Sequence, residues 1–353
     1  MKNATFHSIC EQLQDHRVVT AELLRAAGAD GNVIYRARQN GDLQTIAGVD
    51  GVYVVGREPY DDLVRMHVAA RVAGPEALIT GLWAARLMKL PWVPAGGACM
   101  VRVSVDRHRR GVEGFVTPCR TTSLERVETW EYEGLRIAGP AQAVVDSCRQ
   151  LQADPETRKP WAPNLELRDV RGLVLGAVAA QRVTTAQLES VLAQGSIRFT
   201  SKIRTALTDA ARGTASPPEA ELADGMLPWG VPFYCNAEVR LDGVLLGVSD
   251  LYLVGTGTGG EIDSEQEHGE WSKLDGTLVR DERFRDGDVD LRHITPTRYR
   301  RDPDAFHRTL IRVALARLRA GKGDPAGLEL TPRGPLLCGP YSELTPYRLP
   351  RAA

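Results

Sequence analysis

The sequence predicts a multidomain protein of mixed α+β and α/β class, and three observations carry that expectation. The chain has 353 residues, more than one hydrophobic core usually spans, so two or three domains are expected. Its 43% apolar and 25% charged residues are the proportions of a globular chain and argue against disorder. The spacing of its apolar positions also changes along the chain. Three short helical runs and a hairpin come first, then an α/β segment, then a C-terminal mixed sheet flanked by helices that gathers acidic residues.

The N-terminal elements are set by their caps. Phe6 to Leu13 reads as a short helix. Thr20 caps a second helix, with Glu22 in its first turn and Gly28 at its end. Asp30 caps a third, Asn32 to Gln39, with Val33, Ile34 and Ala37 on one face and Gly41 as the stop. Two β-runs, Leu43 to Ala47 and Val52 to Val55, surround Gly48-Val49-Asp50-Gly51, and Asp-Gly between apolar β-formers signals a hairpin. Three helices followed by a hairpin is the order of a winged helix-turn-helix, in which the third helix enters the DNA major groove. The outward residues of that helix are Asn32, Tyr35, Arg36, Arg38 and Gln39. Arginine and the amides are the side chains that bond guanine and adenine edges bidentately, so double-stranded DNA is the expected partner and these five the expected contacts. The alternative is a helical docking module with a solvated polar face. Residues 1–57 hold six basic and six acidic side chains, and the whole chain carries a net charge of −1. That balance excludes a protein that coats nucleic acid non-specifically, and it requires any DNA contact to come from a local patch.

The middle of the chain turns α/β. Helices are expected at Asp61 to Val72, Ala77 to Leu90 and Pro140 to Cys148, with a strand at Val101 to Val105 followed by the basic run Arg107-His108-Arg109-Arg110. Residues 153–170 are proline-rich and charged and read as a linker, with helices after it near Val170 to Ala180, Thr184 to Leu192 and 200–211. The proline- and glycine-rich tail beyond Gly321 reads as irregular. The expected organisation is therefore 1–57 winged helix, 58–152 α/β, 153–199 linker and helical segment, 200–320 a C-terminal domain, and 321–353 tail.

Six scattered cysteines without a CxxC pair imply neither structural zinc nor a disulfide framework. The N-terminal residues lack the apolar core of a signal peptide and no apolar run reaches the ~20 residues of a membrane span, so the expected location is cytoplasmic.

The C-terminal domain collects carboxylates in order. Ser216-Pro217-Pro218-Glu219 reads as an N-cap, a proline at the first helical position and an acid in the first turn. Strand-like runs Ala237 to Leu241 and Val244 to Val248 flank a turn at Asp242-Gly243. Asp250 then opens the apolar run Asp250 to Val254, and a glycine turn leads to Glu261-Ile262-Asp263. Alternate strand residues share a face, so Glu261 and Asp263 point the same way. Acids converging on a sheet edge suit a hard divalent cation such as magnesium, with Asp250, Glu261 and Asp263 as ligands, which can activate water for phosphodiester cleavage. Glu219 and His268 complete the expected catalytic set, His268 as acid, base or phosphate contact. Unrelated surface acids are the plainer alternative. Gly255 to Gly260 satisfies GxGxxG, but a strand-like run follows it where a dinucleotide fingerprint needs a helix, so a hairpin turn is expected. His108 and His293 flank β-like runs and are expected at surface or turn positions.

Taken together, Ser216 to Glu219, Ser249-Asp250-Leu251, Glu261 to His268, Arg280-Asp281 and His293 to Pro303 resemble the C-terminal domain of actinobacterial proteins related to very-short-patch-repair endonucleases, within the PD-(D/E)xK nuclease superfamily. The resemblance covers about 200–320 and implies a restriction-endonuclease-like fold. Residues 5–150 resemble the winged-helix region of AbiE-type antitoxins, which implies a transcriptional regulator of phage-defence type and a toxin protein as partner; a winged helix reading two half-sites of an operator is expected to act as a homodimer. The chain departs from the nuclease signature in having Asp263 where the lysine of ExK stands and Ser264 where family members often carry glycine; Lys273 or Gln266 are the nearby polar substitutes. The expected function is DNA binding with a nuclease-like domain, the alternatives being a metal-dependent endonuclease and a non-catalytic antitoxin that contacts its toxin.

Overall fold

The computed structural model describes residues 6, 8–9, 17–57, 59, 61–106, 111–153, 163–263 and 271–339, with backbone alone at 163–166, 271–275 and 277. It is a mixed α/β protein with three sheets, and the chain divides into two compact units. Unit 1 is Met1–Glu166 with Arg182–Thr200, and unit 2 is Leu167–Gln181 with Ser201–Ala353. No helix among the described residues is long and apolar enough to cross a membrane.

Unit 1 opens with β1 (Val18–Thr20), α1 (Ala21–Ala26), α2 (Gly31–Gln39), β2 (Leu43–Thr45) and β3 (Val52–Val55). The caps act as their residue types dictate: the Thr20 side chain accepts from Leu23 N at 3.1 Å and Asp30 from Val33 N at 2.8 Å. Of the first expected helix, Phe6, Ser8 and Ile9 are described, and all three are helical. β3 lies between β1 and β2, antiparallel to both. Its alternation divides two cores. Tyr53 packs with Leu24, Ile34, Ala37 and Leu43 under the helices, while Val52 and Val54 face Val64, Val68 and Trp83 of the next elements. The N-terminal module is thus continuous with the α/β part through one strand, where the sequence suggested a boundary at residue 57.

Those next elements are α3 (Asp62–Ala73), β4 (Leu78–Thr80), α4 (Gly81–Leu87), β5 (Cys99–Ser104), β6 (Val116–Thr121), β7 (Thr129–Tyr132), β8 (Leu135–Ala138) and α5 (Pro140–Ala153). The sheet order is β6-β5-β4-β8-β7, with β4/β8 and β5/β6 parallel and the other pairs antiparallel. The expected helix over Ala77 to Leu90 is corrected here: its first part is the central strand β4. A short apolar run buried on both faces has no distinguishing period, and pairing with β5 and β8 decides its conformation. Gly81, at φ +64°, then turns the chain into α4. Beneath this sheet Asp146 of α5 is fully buried and accepts a two-pronged contact from Arg102 (2.6 and 2.7 Å) and a bond from Thr80 (2.7 Å). α7 (Thr185–Gln194), opened by a Thr184–Gln187 capping box, also belongs to unit 1.

Unit 2 holds most of α6 (Pro163–Ala179), then α8 (Ser201–Ala211), α9 (Pro217–Met226), β9 (Phe233–Leu241), β10 (Val244–Leu253), β11 (Thr258–Ile262), α10 (Trp271–Asp286), β12 (Asp290–Ile294), α11 (Pro296–Arg301), α12 (Pro303–Arg319) and β13 (Leu328–Thr331). α6 already begins at Pro163, inside the stretch read as a linker, of which 154–162 lie outside the described residues. The sheet order is β12-β11-β10-β9-β13, all antiparallel except β11/β12. Asp242 and Gly243 both have positive φ (48° and 80°), as a two-residue hairpin turn requires. The GxGxxG stretch is the β10–β11 turn, and the N–H groups of Gly255 and Gly257 donate to the Asp324 carboxylate at 2.8 and 2.7 Å. The irregular tail expected beyond Gly321 is a second correction. Asp324 clamps that turn, β13 closes the sheet edge against β9, and Leu337 bridges to Phe233. Leu328 and Leu330 supply a period-2 apolar face too short to outweigh the surrounding prolines and glycines in the sequence.

Candidate functional site

Two places gather the residues singled out in the sequence. The first is α2. Ile34 and Ala37 are buried, and Asn32, Tyr35, Arg36, Arg38 and Gln39 are all exposed, Tyr35 at 59%. Arg36 and Arg38 stand in the last turn, where the negative end of the helix dipole favours cations. The Arg38 guanidinium lies 5.9 Å from the Tyr53 ring centroid, which steadies it beside the hairpin. Among the described residues no carboxylate pairs with Arg36 or Arg38. Two other cations of the module are engaged: Arg57 with Asp42 at 2.9 Å, Arg17 with Asp61 at 3.3 Å. The face therefore offers two unpaired guanidiniums, two amides and a phenol to solvent. The basic run 107–110 lies outside the described residues.

The second place is the sheet of unit 2. Leu251 pairs with Gly260, so Asp250 and Glu261 fall opposite each other one step further along the two strands. Asp250 Oδ2 accepts from Ile262 N at 2.8 Å, and Glu261 Oε2 lies 3.4 Å from Asp250 N. Burial pushes the Asp250 carboxyl well above the usual range, and the negative charges of Glu261 and Glu219 push it the same way. Glu261 is raised as well, by burial, against the opposing pull of Arg280 and His293.

Glu219 approaches from α9, where it completes a capping arrangement. Its Oε1 accepts from Ser216 Oγ at 2.7 Å, and its Oε2 accepts from Ala215 N at 2.8 Å and from Asn236 Nδ2. Asp263 turns to the side: its Oδ1 is 2.8 Å from His293 Nδ1, while His293 Nε2 is 3.1 Å from Asp281 Oδ1. His293 is thus a half-buried strand residue between two carboxylates, which corrects the surface or turn position expected for it. Burial depresses its pKa, but Asp263, Asp281 and Glu261 outweigh that and leave it raised. His268 lies outside the described residues, as does Gln266, and nothing is described of the Lys273 side chain.

The sequence placed Arg280 in the resemblance but gave it no role in the site. Its Nη1 donates to Glu261 Oε1 at 2.8 Å, so a guanidinium from α10 stands beside the acids. The one local sign was Gly247 in β10: a Cβ there would come within 2.9 Å of Arg280 Cγ and 2.8 Å of Phe284 Cε2. Glu219, Asp250 and Glu261 do converge, but Glu261 is paired with Arg280 and Asp263 with His293. Among the described residues no group of three His, Cys, Asp or Glu is arranged to hold a metal ion. As placed, Asp250, Glu261 and Asp263 do not fit the near-octahedral oxygen set that magnesium demands.

No known family model matches the chain, and no curated protein does. Among solved structures it is similar to the crystal structure of the RV2827C protein from Mycobacterium tuberculosis, at 19% identity and a TM-score of 0.39, over 57% of this chain and 74% of that one.

Proposed function

We propose that this chain is a DNA-binding protein of antitoxin or transcriptional-regulator type. In this reading β1 to β3 with α1 and α2 form a winged helix-turn-helix, α2 lies in the major groove and the β2–β3 hairpin is the wing. The observation that carries the reading is the face of α2, where all five groove-type side chains are exposed and neither arginine has a carboxylate partner among the described residues. A guanidinium on a helix that already has its N-cap and its core contacts is held in place for an external acceptor. A dimer would set two such helices about 34–36 Å apart on a palindromic site. Selection of bound duplexes from a random pool, followed by a salt series, tests this. The expected result is an enriched, two-fold-symmetric sequence bound with a shallow salt slope, because few phosphates face so neutral a chain. Recovery of no sequence preference overturns it. A toxin protein as second partner follows the antitoxin resemblance and is tested by co-purification with the product of the neighbouring reading frame.

Unit 2 supports a nuclease-like fold in the same proposal. Its mixed sheet flanked by helices, with β11 and β12 parallel, supports that reading. We read it as a nuclease fold kept for binding, since Arg280 and His293 neutralise its acids from within. The second reading is a magnesium-dependent endonuclease, favoured by the convergence of Glu219, Asp250 and Glu261. Cleavage of supercoiled DNA in magnesium or manganese that Glu261→Ala abolishes would establish the second reading over the first.

A further inference from the structure

Unit 1 contains a cavity of about 1150 Å³ between α3, α4, β5 and β6, apart from both places described above. Trp83, buried at the base, is flanked by two guanidiniums: Arg86 Cζ lies 4.5 Å and Arg65 Cζ 5.4 Å from its ring centroid. Arg65 is also 5.5 Å from the Phe115 centroid. Arg86 is tied to the wall, donating to Gly96 O at 2.9 Å and Leu82 O at 3.3 Å. Arg65 has only the rings. Among the described residues its side chain makes no hydrogen bond or ion pair, and its buried Nε has no partner. Asp62 and Glu113 also line the cavity, and neither is in ion-pair contact with either arginine.

The opposite wall is fixed by its own bonds. Trp83 Nε1 donates to Gly97 O at 2.9 Å, and Gln150 bridges Ala98 O (2.7 Å) and Leu82 N (3.2 Å). Both guanidiniums thus line one cavity, each stacked on Trp83, with Arg86 also bonded to the wall. Burial lowers the Arg86 pKa, the nearby Asp62 carboxylate opposes this, and the Arg65 charge adds a smaller lowering. Stacking on aromatic faces offsets part of the cost of sinking a guanidinium but satisfies none of its N–H donors. A planar fork with unused donors, beside a second guanidinium, matches a tetrahedral oxyanion.

We propose that this cavity is a binding site for a phosphoryl-type anion, with Arg65 as the anchoring residue and Arg86 as its wall-fixed partner. Such a group can belong to a free phosphorylated small molecule or to a DNA backbone, and the experiment separates the two. Isothermal titration of the full chain with inorganic phosphate, pyrophosphate and ATP is paired with duplex DNA titrations, on wild type and on Arg65→Gln and Arg86→Gln. Because Arg65 packs between two rings, Arg65→Lys is the control that keeps charge and stem, and circular dichroism checks each fold. Saturable binding of pyrophosphate or ATP, weakened at least tenfold in both glutamine variants and severalfold in Arg65→Lys, with duplex affinity unchanged, identifies a small-molecule site. No binding of the small anions, with duplex affinity reduced tenfold by Arg65→Gln equally for all sequences, identifies a backbone phosphate. Absence of both effects, or small-anion binding that none of the variants weakens, overturns the proposal.

Discussion

The exposed face of α2 and the acid cluster of unit 2 both collect functional residue types, yet the fold treats them oppositely. Arg36 and Arg38 stand in solvent without a carboxylate partner among the described residues. Glu261 is buried and Asp250 half-buried, and the surrounding chain supplies Arg280, His293 and backbone N–H groups to answer them. In the first case the charges have no counter-ion among the described residues and are available to a ligand. In the second they belong to the internal balance of the sheet. Composition and spacing make the two alike; burial and partners tell them apart.

The sharpest way to break that contrast is to remove the internal cation. Arg280→Met should cost about 3 kcal/mol, because it leaves Glu261 charged and unpaired near the core. Adding Glu261→Gln to it should recover most of the loss in urea unfolding. No loss in the single variant would mean the cluster is open to solvent and free for a ligand.

The next effect belongs to α2. Arg36→Ala should weaken specific DNA binding by about 2 kcal/mol, roughly thirtyfold, while the unfolding midpoint stays put. Equal losses of affinity and stability would make α2 a structural helix.

Asp250→Asn sharpens the comparison through pH. The folded-state pKa of Asp250 lies above the unfolded value, so its proton favours the folded state fully below about pH 4. That contribution is lost as pH rises toward the folded pKa. The asparagine variant, which can still accept from Ile262 N, should gain stability relative to wild type as pH rises, by about 1 kcal/mol at neutrality. A variant that loses stability relative to wild type as pH rises would place a charged Asp250 in a favourable site, and a difference that does not change with pH would mean that folding leaves its pKa unshifted.

The smallest effect is at Asn32, exposed in the first turn of α2. Asn32→Ala should change stability by less than about 0.5 kcal/mol and act only on the base preference recovered by selection. A larger loss of stability would show that this face is packed.

Local signals were legible in the sequence. Thr20, Asp30, Thr184 and Ser216 cap helices as their chemistry dictates, and Asp242-Gly243 makes its turn, because each depends on residues within a few positions. Leu78-Ile79-Thr80 was not legible as a strand, since its conformation comes from two neighbours distant in sequence. For the same reason the acids of the candidate site could be read but their partners could not. Arg280 reaches Glu261 across 19 positions, and His293 meets Asp263 only because β12 pairs in parallel with β11. The division into units was equally hidden, since α6 leaves unit 1 and α7 returns to it.

The most direct measurement is fluorescence anisotropy of a selected duplex with wild type, Arg36→Ala and Arg38→Ala, against a scrambled duplex at the same salt. The account predicts a wild-type preference for the selected duplex that either variant reduces at least tenfold, with the scrambled duplex bound alike by all three. Binding of both duplexes equally by wild type, or a preference untouched by either variant, would contradict the assignment of α2 as the reading helix.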